Sequence, residues 1–183
     1  MNDDNDTAAN LTPAAAERQV DRGMTLAERM DLDGALADFT AVEAALRFSP
    51  DPAARVQWAR SLNGLGFIDM MDAKAARAAV PELDADAEQA FRWGLKQALA
   101  RFDQSLAIQG EPTYRTYAAG NRAYALALLG RTDDAREAFQ RLFAEGGHAA
   151  YDGQVRDTER HPIPEDRAVR RLIDDVWHEM GET

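Results

Sequence analysis

Two stretches of the chain, one hundred positions apart, carry the same residue pattern. In the first, small, apolar and aromatic residues occur in a fixed order, at Gly23, Leu26, Ala27, Met30, Ala35, Phe39 and Val42. In the second, similar residues follow with the same gaps, at Ala123, Leu126, Ala127, Gly130, Ala135, Phe139 and Leu142. Because one copy of such a unit cannot bury its apolar face alone, the repetition predicts similar units that stack and share a core.

The composition favours helices and narrows the range of partners. Hydrophobic residues make up 45% of the 183 residues, which is enough for one domain with a continuous core. The formal net charge of −11 disfavours a nucleic-acid partner, because the phosphate backbone would be repelled. The chain has no cysteine, which excludes disulfides and thiolate metal sites and is typical of a reducing compartment.

The amino terminus is polar and acidic, and residues 1–11 are predicted to be a disordered tail. It has neither the basic start nor the apolar run of a secretory signal. No apolar stretch reaches the roughly 20 residues needed to cross a bilayer. We therefore expect a cytoplasmic protein that makes no membrane contact.

Capping residues and helix breakers divide the remaining chain into helices. Residues that can cap free amides, or that suit the first helical turn, predict helix starts at Thr12, Asp31 or Asp33, Asp51, the acidic run 82–86, Pro112 and Thr132-Asp133. Helix breakers predict ends at Pro50, Pro81, Gly110, Gly130 and Gly146-Gly147. Gly64 and Gly66 fall inside the third helix, where we expect them to let a neighbouring helix pack closely. Trp93 is assigned to the apolar face of the fourth helix, which begins after the acidic run 82–86.

The carboxyl-terminal part, residues 147–183, is predicted to be a loop followed by a capping helix. Gly153, Pro162 and Pro164 favour a loop from His148 to Pro164, with at most one short helix. The final segment has helical apolar spacing at Val169, Leu172, Ile173, Val176, Trp177 and Met180. We expect this face to cover the last repeat.

The repeated helix pairs resemble the tetratricopeptide repeat. The best match is Asn121-Arg122-Ala123 followed by Leu126, Gly130, Ala135, Phe139 and Leu142, and the second match runs from Glu17 to Pro50. Ala98, Phe102 and Leu106 resemble the second helix of a middle repeat whose first helix is Asp51 to Met71. The resemblance implies an all-α right-handed superhelix of about three hairpins over residues 12–146, with an insertion at about 72–91. Four short repeats are an alternative.

The resemblance also implies a role in protein–protein interaction, since such arrays bind peptides or proteins on a concave face lined by first helices. The corresponding residues are Glu17, Val20, Met24, Trp58, Ser61, Leu65, Tyr117, Asn121 and Tyr124. The family's clamp for acidic carboxyl-terminal tails uses lysine and asparagine, and Val20 and Met24 stand where the first of these belong. The positions therefore favour an apolar or extended segment. Alternatively, Tyr117 and Tyr124 only pack between helices.

No catalytic, metal or cofactor motif is complete. Asp31-Leu32-Asp33-Gly34 lacks the first and last ligands of a calcium loop, and Gly64-Leu65-Gly66 follows no predicted strand. The three histidines, His148, His161 and His178, do not pair at helical spacing. We therefore predict a protein that is not an enzyme, acting as a monomer or homodimer. A chaperone-like binder of a bacterial secreted protein, a small-ligand binder, an enzyme with an unrecognised site and a purely structural subunit are the alternatives.

Basic residues concentrate near the carboxyl end, at Arg156, Arg160, His161, Arg167, Arg170 and Arg171. Two interpretations are open. They form a docking patch for an acidic partner, or they pair with the neighbouring acids Asp157, Glu159, Glu165, Asp166 and Asp174.

Overall fold

The computed structural model describes residues 11–80, 84–108 and 112–181, apart from the side chain of Thr113. These ranges contain seven helices and no strand, which confirms the all-α prediction. The helices are α1 (Pro13–Glu28), α2 (Leu32–Leu46), α3 (Pro52–Ala78), α4 (Ala85–Ala107), α5 (Pro112–Leu128), α6 (Thr132–Glu159) and α7 (Asp166–Glu179). The predicted tail lies outside the described residues except for Leu11, which packs against the buried apolar residues of α1, α2 and α3.

Side-chain caps begin the first four helices. Thr12 Oγ1 accepts a hydrogen bond from the Ala15 amide at 3.3 Å, and the carboxylates of Asp31, Asp51 and Asp84 accept equivalent bonds at 2.7 to 3.1 Å. These bonds satisfy amides that have no partner within the helix. The predicted cap at Thr132-Asp133 is wrong, because Arg131 occupies the cap position and makes no side-chain bond to a helix amide.

The turns that join α1 to α2 and α5 to α6 have the same hydrogen bonds. In each turn a left-handed residue ends the first helix, Met30 with φ 62° and Gly130 with φ 74°. Its amide donates to the carbonyl three positions earlier, and the next amide donates to the carbonyl five positions earlier, at 2.9 to 3.0 Å. The two copies of the repeat therefore close their hairpins with one shared motif.

Glycines of α3 face phenylalanines from the second helices of two hairpins. A Cβ atom on Gly64 would lie 2.5 Å from Phe39 Cζ, and one on Gly66 would lie 2.7 Å from Phe102 Cε1. Both phenylalanines are fully buried. Because carbon atoms do not approach so closely, the rings of Phe39 and Phe102 fit against α3 at these two positions only if no side chain is present there. This confirms the close packing predicted for Gly64 and Gly66.

Each helix packs against the next one in the chain, and α1, α3, α5 and α7 also contact one another in that order. Within the described ranges, α2, α4 and α6 do not contact one another. The odd-numbered helices therefore form an inner layer, and the even-numbered ones lie outside it. One apolar cluster joins α1, α2 and α3 around Phe39, and a larger one runs from Met70 in α3 to Trp177 in α7.

The middle hairpin is longer than the other two. Residues 72–78 continue α3, and residues 85–91 form the first turns of α4. Among the described residues the segment 72–91 thus forms no separate helix and belongs to the ends of α3 and α4.

Trp93 on α4 has 64% of its surface exposed, so its assignment to the apolar face is wrong. Phe91 and Leu95 are buried in its place.

The prediction of a loop from His148 to Pro164 is wrong for most of its length. Gly147 adopts φ 56° and ψ −148°, which kinks α6, and the chain then continues as a helix to Glu159. We refer to residues 148–159 as the second half of α6. It packs on the capping helix α7, where Trp177 stacks on Tyr151 at 5.0 Å and meets Phe143 edge-on at 5.8 Å.

Candidate binding groove

A groove of about 980 Å³ crosses the inner layer of helices. Residues of α1, α3, α5 and the second half of α6 line it, together with the end of α4. Its size is that of a site for a small molecule or a short peptide segment. It forms because α1, α3 and α5 lie side by side, and the part of α6 that follows the kink adds to the lining.

Three of the nine predicted contact residues line this groove: Met24 on α1, and Tyr117 and Asn121 on α5. Tyr117 is 58% exposed, although tyrosine has enough apolar surface to favour burial. The alternative in which Tyr117 only packs between helices is therefore wrong. The groove lining thus includes the exposed ring of Tyr117 and the partly buried side chain of Met24.

Four predicted contact residues are buried inside the protein: Val20, Ser61, Leu65 and Tyr124. They are corrections to the sequence interpretation, because none presents a surface to a partner. Glu17 is exposed and Trp58 partly buried, and both lie outside the groove lining. The error on α3 has a physical cause. This helix contacts α1, α2, α4 and α5, so it has no single apolar stripe from which the groove-facing side could be identified.

Two amides link α3 and α5 in the groove lining. Asn121 Nδ2 donates a hydrogen bond to Asn63 Oδ1 at 2.9 Å. The remaining amide atoms, Asn121 Oδ1 and Asn63 Nδ2, form no other side-chain hydrogen bond to the described residues. Paired amides of this kind offer both a donor and an acceptor, which is the chemistry that a peptide backbone presents.

Arg60 fixes the position of one aromatic ring. Its guanidinium lies 4.0 Å from the ring centroid of Tyr114, as in a cation–π contact. It also donates to Gln57 Oε1 at 2.9 Å and to Asp21 Oδ1 at 2.5 Å. The charge of Arg60 is therefore already satisfied within the protein, and its role is to hold the Tyr114 ring against α3.

The wall formed by the start of α5 and the end of α6 holds three further arginines, Arg115, Arg156 and Arg160. Asp157 lies near Arg156 and Arg160. Burial raises the pKa of Asp157, and the positive charges of Arg160, Lys74 and Arg156 only partly offset that effect. Sequence reasoning noted Arg156 and Arg160 as basic residues but gave them no place in the groove, because their helix was interpreted as a loop.

Gln154 places a carbonyl oxygen in the groove lining without a partner. Its side chain is 7% exposed, and Oε1 is buried and accepts no hydrogen bond from the described residues. A buried acceptor left unpaired costs about 1–3 kcal/mol. An N–H donor that reached this oxygen would remove that cost.

A buried polar network anchors this wall to α3. Lys74 Nζ lies 3.0 Å from Asp166 Oδ2 and donates to the Arg160 carbonyl at 3.3 Å. The Tyr124 hydroxyl donates to Asp166, and burial, followed by the charge of Asp166, raises the pKa of Tyr124. Asp166 also accepts from the Ile163 amide at 2.8 Å. The corner that presents Arg160 is therefore held by charges inside the protein.

Neither a metal-binding group nor a membrane-crossing helix is found among the described residues. No three of their histidine, aspartate and glutamate side chains cluster so as to hold a metal ion. In the same ranges, none of the helices combines the length and the apolar character that crossing a bilayer requires. Comparison of the chain with protein-family models, with curated proteins and with solved structures finds no match.

Proposed function

We propose that this chain is a non-enzymatic interaction module, a tetratricopeptide-like array of about three hairpins that binds an extended peptide segment of a partner protein. The groove across α1, α3 and α5 carries this proposal. It combines apolar and aromatic surface from Met24 and Tyr117 with the paired amides of Asn63 and Asn121. Side-chain pockets beside backbone-like polar groups suit a peptide in extended form.

The exposure of aromatic side chains supports this use of the groove. Tyr117 is an exposed aromatic residue that lines the groove. Its position in a concave site supports a role in binding a partner. Trp93, which is more exposed, lies outside the groove lining. Tyrosine is enriched among the residues that dominate binding energy, since one large rigid ring is buried at low entropic cost.

The proposal is tested by selecting a phage-displayed dodecapeptide library on the full chain and measuring the recovered peptides by fluorescence anisotropy. Tyr117→Ala is expected to weaken binding at least about tenfold, which corresponds to about 1.4 kcal/mol. Trp93→Ala is the matched control, an exposed aromatic outside the groove, and is expected to change affinity less than about twofold. Failure to recover any peptide, or equal losses in both variants, would contradict the proposal.

A further inference from the structure

We propose that the segment bound in the groove is acidic, and that Arg115, Arg156 and Arg160 hold its carboxylates while Gln154 accepts a backbone N–H. This inference deepens the proposed function and rests on it. It concerns the wall formed by the start of α5 and the second half of α6.

The charge of the groove lining is opposite in sign to the net charge of the protein. The chain as a whole carries a formal charge of −11. The groove lining, in contrast, contains four arginines and only two acidic residues, Glu28 and Asp157. A concave site with an excess of one sign of charge concentrates ligands of the opposite sign. An acidic segment is therefore attracted to this groove.

Three of the four arginines are not neutralised by hydrogen-bonded carboxylates. Arg115, Arg156 and Arg160 form no side-chain hydrogen bond and no ion pair within 4.0 Å to the described residues. Arg170, in the same carboxyl-terminal region, does pair, with Asp174 at 2.9 Å. The pairing interpretation therefore describes Arg170, and the docking interpretation remains a proposal for Arg156 and Arg160.

The unpaired acceptor on Gln154 is one feature that suits a peptide. Its Oε1 atom is buried in the lining and accepts no hydrogen bond from the described residues. A peptide backbone supplies an N–H donor next to an acidic side chain. A nucleic acid also carries N–H donors on its bases, but the net charge of −11 repels long polyanions. The net charge therefore favours an acidic peptide over a nucleic acid.

This conclusion goes beyond the sequence expectation of an apolar or extended segment. That expectation was drawn from a mixed apolar and aromatic groove that included Val20 and Met24 on α1. Val20 is fully buried, so only Met24 contributes to the groove. The arginines come from α5 and from a helix that the sequence did not reveal. Apolar contacts with Met24 and Tyr117 and ionic contacts with the arginines therefore act on different parts of one bound segment.

The test uses the dodecapeptides recovered from the library and measures their affinity at low salt. Acidic residues are expected to be enriched, and changing them to Asn and Gln is expected to weaken binding at least about tenfold. The double variant Arg156→Gln/Arg160→Gln should show a similar loss. Arg171→Gln is the control, since Arg171 is exposed on α7 outside the groove lining, and should leave affinity unchanged. Asp157→Asn, which removes an opposing charge, should tighten binding. Circular dichroism verifies that each variant is folded.

The outcomes separate this inference from the proposed function. Neutral or basic peptides that lose affinity in Tyr117→Ala but bind Arg156→Gln/Arg160→Gln normally would overturn the acidic segment and leave groove binding intact. Recovery of no peptide that depends on Tyr117 would overturn both. A single-stranded homopolymer RNA that binds as tightly as the acidic peptides, and loses affinity in the arginine variant, would overturn the choice of a peptide.

Discussion

Lys74 lies in the second half of α3 with 1% of its side chain exposed, and it forms an ion pair with Asp166, which is 3% exposed. The hydroxyl of Tyr124 and the Arg160 carbonyl complete its surroundings. Taking two charges out of water is costly, and the cost is offset only where each charge keeps its partners. The ion pair itself therefore adds little stability. Removing one partner, however, is destabilising, because the other charge would remain buried without a partner.

Lys74→Met is expected to lower the free energy of unfolding by about 3–5 kcal/mol, because Asp166 would remain buried without its cation. Urea denaturation at pH 7 followed by circular dichroism measures this. The double variant Lys74→Met/Asp166→Asn is the control, and it should recover part of the loss because no unpaired charge remains. A single variant as stable as the natural protein, or a double variant less stable than the single one, would contradict this view of the network.

The sequence does not reveal this network. A lysine within an alanine-rich stretch has the same appearance whether it is solvated or buried, and its partners lie some 50 and 90 positions away. Hydropathy identifies apolar positions well, as Phe39, Phe102 and Phe139 show, since all three are fully buried. It carries no information on which charged side chains a distant helix will cover.

The long helix α3 shows how glycine placement determines the packing of a whole element. Gly64 faces the ring of Phe39, so that α1, α2 and α3 meet around one aromatic side chain. Alanine is the better helix former by about 1 kcal/mol, but its methyl group has no room at this position. The higher helix propensity of alanine and the steric clash of its methyl group have opposite effects on stability, and we expect the clash to be the larger one.

Gly64→Ala is expected to lower the free energy of unfolding by about 1–3 kcal/mol, because a Cβ atom would lie 2.5 Å from Phe39 Cζ. Gly153→Ala is the matched control in the second half of α6. A Cβ atom there would meet nothing within 4 Å, so the helix-forming gain of up to about 1 kcal/mol should appear alone. Chemical denaturation of both variants gives the comparison. If both substitutions changed the free energy of unfolding in the same direction, close packing would not explain the glycine at position 64.

At the level of helices, sequence reasoning succeeded where caps and breakers stand at element ends. Thr12, Asp31 and Asp51 cap the helices predicted to follow them. It failed at Gly147, where the chain kinks and then resumes as a helix. A glycine signals that the backbone leaves the helical region but not whether the helix starts again. The residues missed for that reason, Gln154, Arg156 and Arg160, form one wall of the groove.

For the molecule as a whole, the repeat predicted helical hairpins, and the two matched segments close with the same turn. The sequence did not predict which residues of each inner helix face the groove. An inner helix such as α3 is contacted from several sides, so its buried residues include Gln57, Arg60 and Asn63 as well as apolar ones. Only assembly of the hairpins determines which of these residues face the concave side.

The central claim is that a peptide segment binds in the groove across α1, α3 and α5, and methionine methyl NMR tests it most directly. Met24 lies in the groove lining, whereas Met30, Met70, Met71 and Met180 do not. With ¹³C-methyl methionine in the full chain, titration of a selected acidic dodecapeptide should shift the Met24 resonance and leave the resonances of Met30, Met70, Met71 and Met180 nearly unchanged. A shift confined to those four, with Met24 unmoved at saturation, would contradict the account.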